Sequence, residues 1–382
     1  MGVRGRVLRP TPVLLLISAM ALAAACQSEG QSHRETSSPA SSTNATATSM
    51  REVSSQIQKS MDTDVGDGNY PGMLTLVRIG DETKVLTSGV ADRDREEPLT
   101  RQHRFRIGSI TKSIVAALVM QLVESGRLRL SDPVSRWLPG LLGNGSHITI
   151  KHLLTHSSGL FDVIGLPGFA RMVQRLPADP ARLVRLANAQ GPEFAPGQGA
   201  AYSNTNFTVL GLIVEKVTGQ HLARALETRI FRPLRMASSS LDWAHAVDPP
   251  LAHGYSDDED VTASTELAWA WSAGGVVSTA EDVSRFFKAL LRGDVIGHEL
   301  LEEMTSPLTK GVAQWPSYGL GLAQLETTCG IAHGHSGTFP GFMAEAWTLD
   351  TLDREVVVME NRYDDQTSEP HLFGIIQQAL CD

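Results

Sequence analysis

The chain is poor in cysteine. Three stand in 382 residues, at positions 26, 329 and 381, which is too few for a Cys-rich zinc or redox framework. Long apolar runs are scarce as well. Val13 to Ala25 spans only 13 residues, too short to cross a bilayer comfortably. Positive charge is not in excess: 33 Lys and Arg face 42 Asp and Glu, for a net charge of -9. That balance argues against nucleic acid as a partner and gives no reason for tight binding to anionic surfaces. No phosphate-binding loop is present, and Asn144-Gly145-Ser146 reads as a turn. Metal spacing is poor too. His152 and His156 stand four apart, but Leu153 occupies the place where a zinc-protease helix needs Glu. His333 and His335 share a strand face without an evident third ligand. Neither metal nor cofactor is expected. What remains, 42% hydrophobic and 20% charged, is an ordinary globular composition, long enough for one large or two small domains.

The N-terminus reads as an export leader over residues 1–26. Arg4, Arg6 and Arg9 form a positive n-region ahead of the apolar run, and removing them takes the net charge from -9 to -12. The run ends Leu22-Ala23-Ala24-Ala25-Cys26. Small residues before a Cys resemble a bacterial lipobox, which would lipidate Cys26 and hold the protein at the outer face of a membrane by that anchor alone. Ordinary cleavage near Ala25, with free secretion, is the alternative. Outside the cytoplasm Cys329 and Cys381 are expected to pair, which stabilises by roughly 3–4 kcal/mol in the chain-entropy model. Cys26 is then left over for the lipid. Two free buried thiols are the other outcome. Residues 27–50, rich in Ser, Thr, Ala and Glu, cannot bury a core and read as a flexible tether.

Folding is expected over residues 51–382. Arg51 to Met61 is patterned as an amphipathic helix. Gly72 to Ile79 and Lys84 to Val90 read as strands joined at Gly80-Asp81. Ser109 to Ser125 reads as a helix stopped by Gly126. Its apolar residues run almost all round, so it should be central. Helices dominate residues 131–246, most clearly Leu183 to Ala189 and Phe207 to Val217. Ala280 to Arg292 and His371 to Leu380 are further helices. Gly319 to Gln324, Ile331 to Ser336, Gly341 to Leu349 and Glu355 to Glu360 read as strands. The pattern predicts an α+β fold, with a sheet assembled from residues 51–130 and 247–382 and interrupted by the helical lobe.

Three short segments carry chemistry. Ser109 and Lys112 lie one helical turn apart at the head of the central helix. There, free backbone N–H groups favour developing negative charge, and burial lowers a lysine pKa so that it can take the serine proton. In Tyr202-Ser203-Asn204, the phenol could act as base and then acid if Lys112 holds its pKa down, and the amide could orient Lys112 and a substrate amide. In His335-Ser336-Gly337, Gly337 allows close approach of a substrate backbone. Ser336 could bond a carboxylate, and His335 could supply partial positive charge. The N–H groups of Ser109 and Thr338 could form an oxyanion hole. Gly334-x-Ser336 is not a nucleophile elbow, because Thr338 stands where the second Gly is required.

Together these motifs resemble the serine beta-lactamase and penicillin-binding protein superfamily, in its class C beta-lactamase-like branch. Phe105 to Lys112, Ile150 to Leu160 and Phe194-Ala195-Pro196-Gly197 also look like family signatures. The resemblance implies an antiparallel sheet flanked by helices, a helical lobe and a cleft between them. It implies Ser109 as acylated nucleophile, Lys112 and Tyr202 as proton handlers, and Asn204, His335, Ser336 and Gly337 as cleft walls, with Trp271 as a substrate-pocket aromatic or a plain core residue. His335-Ser336-Gly337, in place of Lys-Thr-Gly, resembles secreted D-alanyl-D-alanine carboxypeptidases, as do Tyr318 to Leu322 and the late Cys381. The implied substrate is a peptidoglycan stem peptide, with beta-lactams as inhibitors. The carboxypeptidase pattern, however, carries Arg soon after Gly-Leu-Gly-Leu, where Ala323 and Gln324 stand here. That departure leaves room for an esterase or another amidase.

Overall fold

A computed structural model describes residues 49–173, 179–241, 250–256, 258–263, 269–363 and 370–382. The leader, Cys26 and almost all of the tether lie outside the described residues.

Helix α1 (Met50–Gly66) opens the fold with a capping box, in which the Glu52 amide donates to Ser49 Oγ and the Ser49 amide donates to Glu52 Oε2. Its buried Val53, Ile57 and Met61 recur every four residues on one face. Strands β1 (Gly72–Ile79) and β2 (Glu82–Asp92) form the N-terminal hairpin, with Gly80 at φ +58° in the turn, followed by the short β3 (Glu97–Pro98). Helix α2 (Ile110–Glu124) is buried from Ile110 through Met120. The helical lobe includes Val134–Trp137, Ile150–Leu154, Pro180–Asn188 and α3 (Asn204–Thr218). After it come α4 (Ala280–Leu291), the strands β4 (Thr309–Val312), β5 (Trp315–Tyr318), β6 (Ala323–Thr327), β7 (Gly330–Phe339), β8 (Phe342–Leu349) and β9 (Arg354–Glu360), and the closing α5 (Pro370–Cys381).

The nine strands form one antiparallel sheet in the order β3-β2-β1-β9-β8-β7-β6-β5-β4. Both ends of the chain therefore build it, joined where Met73 of β1 faces Glu360 of β9. Alternation decides the layers. Met73 and Val77 face the apolar layer that holds Ile57 of α1 and Ile375 and Ile376 of α5. Leu74 and Leu76 face the larger layer around α2, α3 and α4.

Gly319 to Gln324 is not one strand. Gly319 to Leu322 is a turn between β5 and β6, in which the Gly319 amide donates to Leu322 O at 2.7 Å. Gly321 has φ +81°, and a Cβ there would lie 2.3 Å from Ala116 Cβ. Ser113 Oγ of α2 donates to Gly321 O at 2.7 Å. The glycine thus lets the turn lie directly on α2 and hold it against the sheet.

Cys329 and Cys381 form a disulfide with Cα atoms 5.4 Å apart, tying the β6–β7 turn to the end of α5 across 52 residues of sequence. Replacing both cysteines with serine is expected to cost up to roughly 4 kcal/mol, the chain-entropy value for such a loop. Urea unfolding of the two proteins measures the difference, and equal midpoints would contradict it.

Candidate active site

The turn before α2 lies against β7, and two glycines make that possible. A Cβ on Gly337 would stand 2.0 Å from Ile107 O and 2.9 Å from Ser109 N. A Cβ on Gly108, whose φ is +49°, would stand 2.5 Å from Thr338 O and 2.8 Å from Thr338 N. Backbone meets backbone, which fixes the half-buried Ser109 beside Thr338. The Ser109 amide donates to no acceptor among the described residues, as an oxyanion-hole donor must in the resting site. Beyond Gly334, β7 has β8 on one side and no strand on the other among the described residues. His335 to Phe339 therefore offer an open edge.

Lys112 is fully buried. Its Nζ lies 2.8 Å from Ser109 Oγ, 2.8 Å from Asn204 Oδ1 and 2.7 Å from Ala273 O. Burial pulls its pKa down to about 7, although the carboxylate of Asp162 pulls the other way. A neutral amine has two N–H donors and one lone pair. Two donations, to Asn204 and to the Ala273 carbonyl, leave the lone pair for the Ser109 hydroxyl, so neutral Lys112 can take the serine proton. Asn204 is held from its other side, where Nδ2 donates to Asp162 Oδ2 at 3.0 Å and the Asn204 amide donates to Asp162 Oδ1 at 3.1 Å. These bonds fix which way the amide points. Burial raises the pKa of Asp162, partly offset by Lys112. Asp162 was missed in the sequence. Its signal is slight, a lone acid just past the motif that ends at Leu160.

Lys112 Nζ also lies 4.9 Å from the centre of the Tyr202 ring. The expectation that Lys112 depresses the phenol needs correction. Burial drives the Tyr202 pKa well above its usual value, Ser109 offsets only part of this, and Asp162 adds to it. Tyr202 Oη is buried close to the Ser109 hydroxyl, and among the described residues it makes no bond of strict hydrogen-bonding geometry. The resting phenol is neutral, so neutral Lys112 is the group placed to accept the serine proton and Tyr202 is placed to donate one.

His335 also departs from expectation. It is fully buried, and burial followed by the nearby Lys112 lowers its pKa to about 3. It carries no positive charge at neutral pH. Nδ1 donates to Ser336 O, and Nε2 accepts from Tyr318 Oη at 3.0 Å. Ser336 Oγ accepts from Gln314 Nε2 at 2.9 Å, a residue of the β4–β5 hairpin that no motif marked. Trp271 is core rather than pocket wall. It is 3% exposed and packs so tightly on α3 that a Cβ on Gly211 would stand 2.8 Å from its ring. Trp269 is the aromatic beside the cleft strand, stacked on Phe339 with ring centres 6.1 Å apart. Gln324, in the place expected for Arg, donates to Thr305 O at 2.7 Å.

The histidine pairs are engaged elsewhere. His152 Nδ1 accepts from the Thr149 amide at the head of its helix, and His333 Nε2 lies 2.7 Å from Asp350 Oδ1. Among the described residues no group of three His, Cys, Asp or Glu side chains is arranged to hold a metal.

The profile of the family described as Beta-lactamase matches residues 54–380. The chain belongs to the beta-lactamase family. Its fold is the family's mixed helix and antiparallel sheet, and it is a serine hydrolase. Putative penicillin-binding protein PbpX of Bacillus subtilis is 29% identical over 279 residues, which cover 72% of this chain and 66% of that protein, just under two thirds of its length. Esterase EstB of Burkholderia gladioli is 30% identical over 359 residues, covering 81% of this chain and 90% of that protein. Among solved structures, a D-stereospecific amidohydrolase from Streptomyces sp. superposes with a TM-score of 0.75 at 30% identity, covering 86% of this chain and 98% of the other.

With neutral Lys112 as the group that takes the serine proton, kcat/KM is expected to rise as pH increases through about 7. Below that value it should fall close to tenfold per pH unit as Lys112 protonates. A profile flat from pH 5 to 9 would exclude Lys112 as the base. Gly337→Ala is expected to abolish turnover, since its methyl group would collide with Ile107 O. Wild-type rates from that variant would contradict the close approach.

Proposed function

We propose that this serine hydrolase cleaves an amide bond through an acyl-enzyme on Ser109, as a D-alanyl-D-alanine carboxypeptidase of peptidoglycan stem peptides. Lys112 accepts the Ser109 proton, the oxyanion lies on the amides of Ser109 and Thr338, and Tyr202 protonates the departing amine and is itself reprotonated from the adjacent Lys112 ammonium. Water then releases the acyl group. The carrying observation is the buried, protonated Tyr202 hydroxyl close to Ser109. An amine is a poor leaving group unless protonated, whereas a phenolate needs no such help. The named relatives include a penicillin-binding protein and a D-stereospecific amidohydrolase, which supports the same choice. In this proposal the leader carries the protein out of the cytoplasm, held by a lipid on Cys26 or released. The Cys329–Cys381 disulfide suits that oxidising setting.

A second reading, an esterase, is favoured by one observation. Ser336, the candidate carboxylate partner, is met by the neutral Gln314, and Gln324 brings no cation. Loss of one charged bond lowers binding by about 1.5–3 kcal/mol, so a substrate without a terminal carboxylate gains ground.

Incubation with an N-acylated D-Ala-D-Ala peptide is expected to release D-Ala, and Ser109→Ala to release none. A fluorescent penicillin is expected to leave a stable adduct on the wild type alone, seen by intact mass. Rapid turnover of short-chain p-nitrophenyl esters with no D-Ala released would sink the carboxypeptidase reading and leave the esterase.

A further inference from the structure

His156 lies just past the Ile150–Leu154 helix, fully buried, with φ +55°. That backbone region is uncommon outside glycine. Its ring is 4.4 Å from that of Tyr202, tilted by 31°. The main-chain oxygen of His156 accepts from the Ala201 amide at 3.0 Å. Its Nδ1 accepts from the Ser203 amide at 3.1 Å. The two peptide N–H groups that bracket Tyr202 therefore both end on this one residue. Asn206 Nδ2 donates to the same Nδ1 at 3.1 Å, and Ser158 Oγ donates to Asn206 Oδ1.

A ring nitrogen that accepts from a backbone N–H cannot itself carry a proton, so the proton of His156 is on Nε2. Among the described residues that nitrogen is buried without a hydrogen-bond partner. Two costs thus fall on one residue, a left-handed backbone and an unmet buried donor. Packing alone explains neither, since an apolar ring would fill the space without the unmet donor. The accepted Ser203 bond explains the histidine, because it sets the backbone on the C-terminal side of Tyr202 while the ring stacks on the phenol.

We propose that His156 is the positioning residue for Tyr202. It fixes the phenol over Ser109 by gripping the chain on both sides, and so sets the efficiency of proton delivery to the leaving group. This rests on the reading of Tyr202 as that proton donor.

The test uses leaving groups. An acyl p-nitrophenyl ester departs as phenolate without a proton, and the matching acyl-D-alanine amide does not. Tyr202→Phe is expected to slow amide cleavage far more than ester cleavage. His156→Phe keeps a ring and the main-chain oxygen but loses the Nδ1 acceptor. It is expected to lower kcat for the amide on the order of 10- to 100-fold, with KM and ester acylation little changed. Rates are taken per active site, titrated by the ester burst, so loss of folded protein does not count. His156→Asn tolerates the left-handed backbone, and its Oδ1 is expected to accept the Ser203 amide and restore most of the amide rate. In the double variant with Tyr202→Phe, the two effects should fail to add. Equal losses on ester and amide, or additive effects in the double variant, would overturn the positioning role. If Tyr202→Phe itself spared amide cleavage, the reading of Tyr202 would fall first, and this inference with it.

Discussion

The structure depends on the burial of one amine. Lys112 has no exposed surface, and an ammonium in a dry interior is costly unless every donor is met and its charge can be shed. Three oxygens from three parts of the chain surround it: Ser109 at the head of its own helix, Asn204 at the head of α3, and the Ala273 carbonyl beyond the lobe. Only a helix buried on all sides can present such a lysine, and α2 is that helix. The sheet above and the lobe beside it are the walls that exclude water. The same exclusion that makes the amine expensive lowers its pKa to about 7 and so equips it to accept a proton.

A second constraint follows from how close the nucleophile turn comes to β7. Gly108 and Gly337 bring two backbones within reach of one another, leaving no room for a side chain between them. Among the described residues the Ser109 amide is thereby left unbonded beside Thr338, and the edge of β7 from His335 onward has no strand on it. The Gly319–Leu322 turn performs a similar task behind α2, bonded to it through Ser113. Helix, turn and strand are thus located by main-chain contact, which tolerates little drift.

The rings around Lys112 are neutral. His335 and His156 are held uncharged by burial, with Lys112 adding to the effect, and the Tyr202 phenol keeps its proton for the same reason. Burial therefore sorts the acid–base roles: it lowers the lysine towards neutrality and raises the phenol away from it. Residues that could have competed for the serine proton are removed from contention by the same lack of water.

Much of this was legible in the sequence. The central helix could be read from its continuous apolar run, the sheet from its alternating segments, and Ser109, Lys112, Tyr202 and Asn204 from motif spacing. These are local properties, set by period, by turn residues and by side chains one helical turn apart. What lay outside that reach depends on neighbours far along the chain. Asp162 stands 42 residues from the Asn204 that it holds, and Gln314 reaches Ser336 from another hairpin. Trp271, which the sequence left as pocket aromatic or core residue, is core because of its packing on Gly211. The charge states of His335 and Tyr202 were decided by depth of burial. By itself the sequence determined the serine, lysine, phenol and amide of the site and which helix would carry the serine. Only the tertiary structure decided which of them hold protons, because that depends on how completely distant segments shut out water.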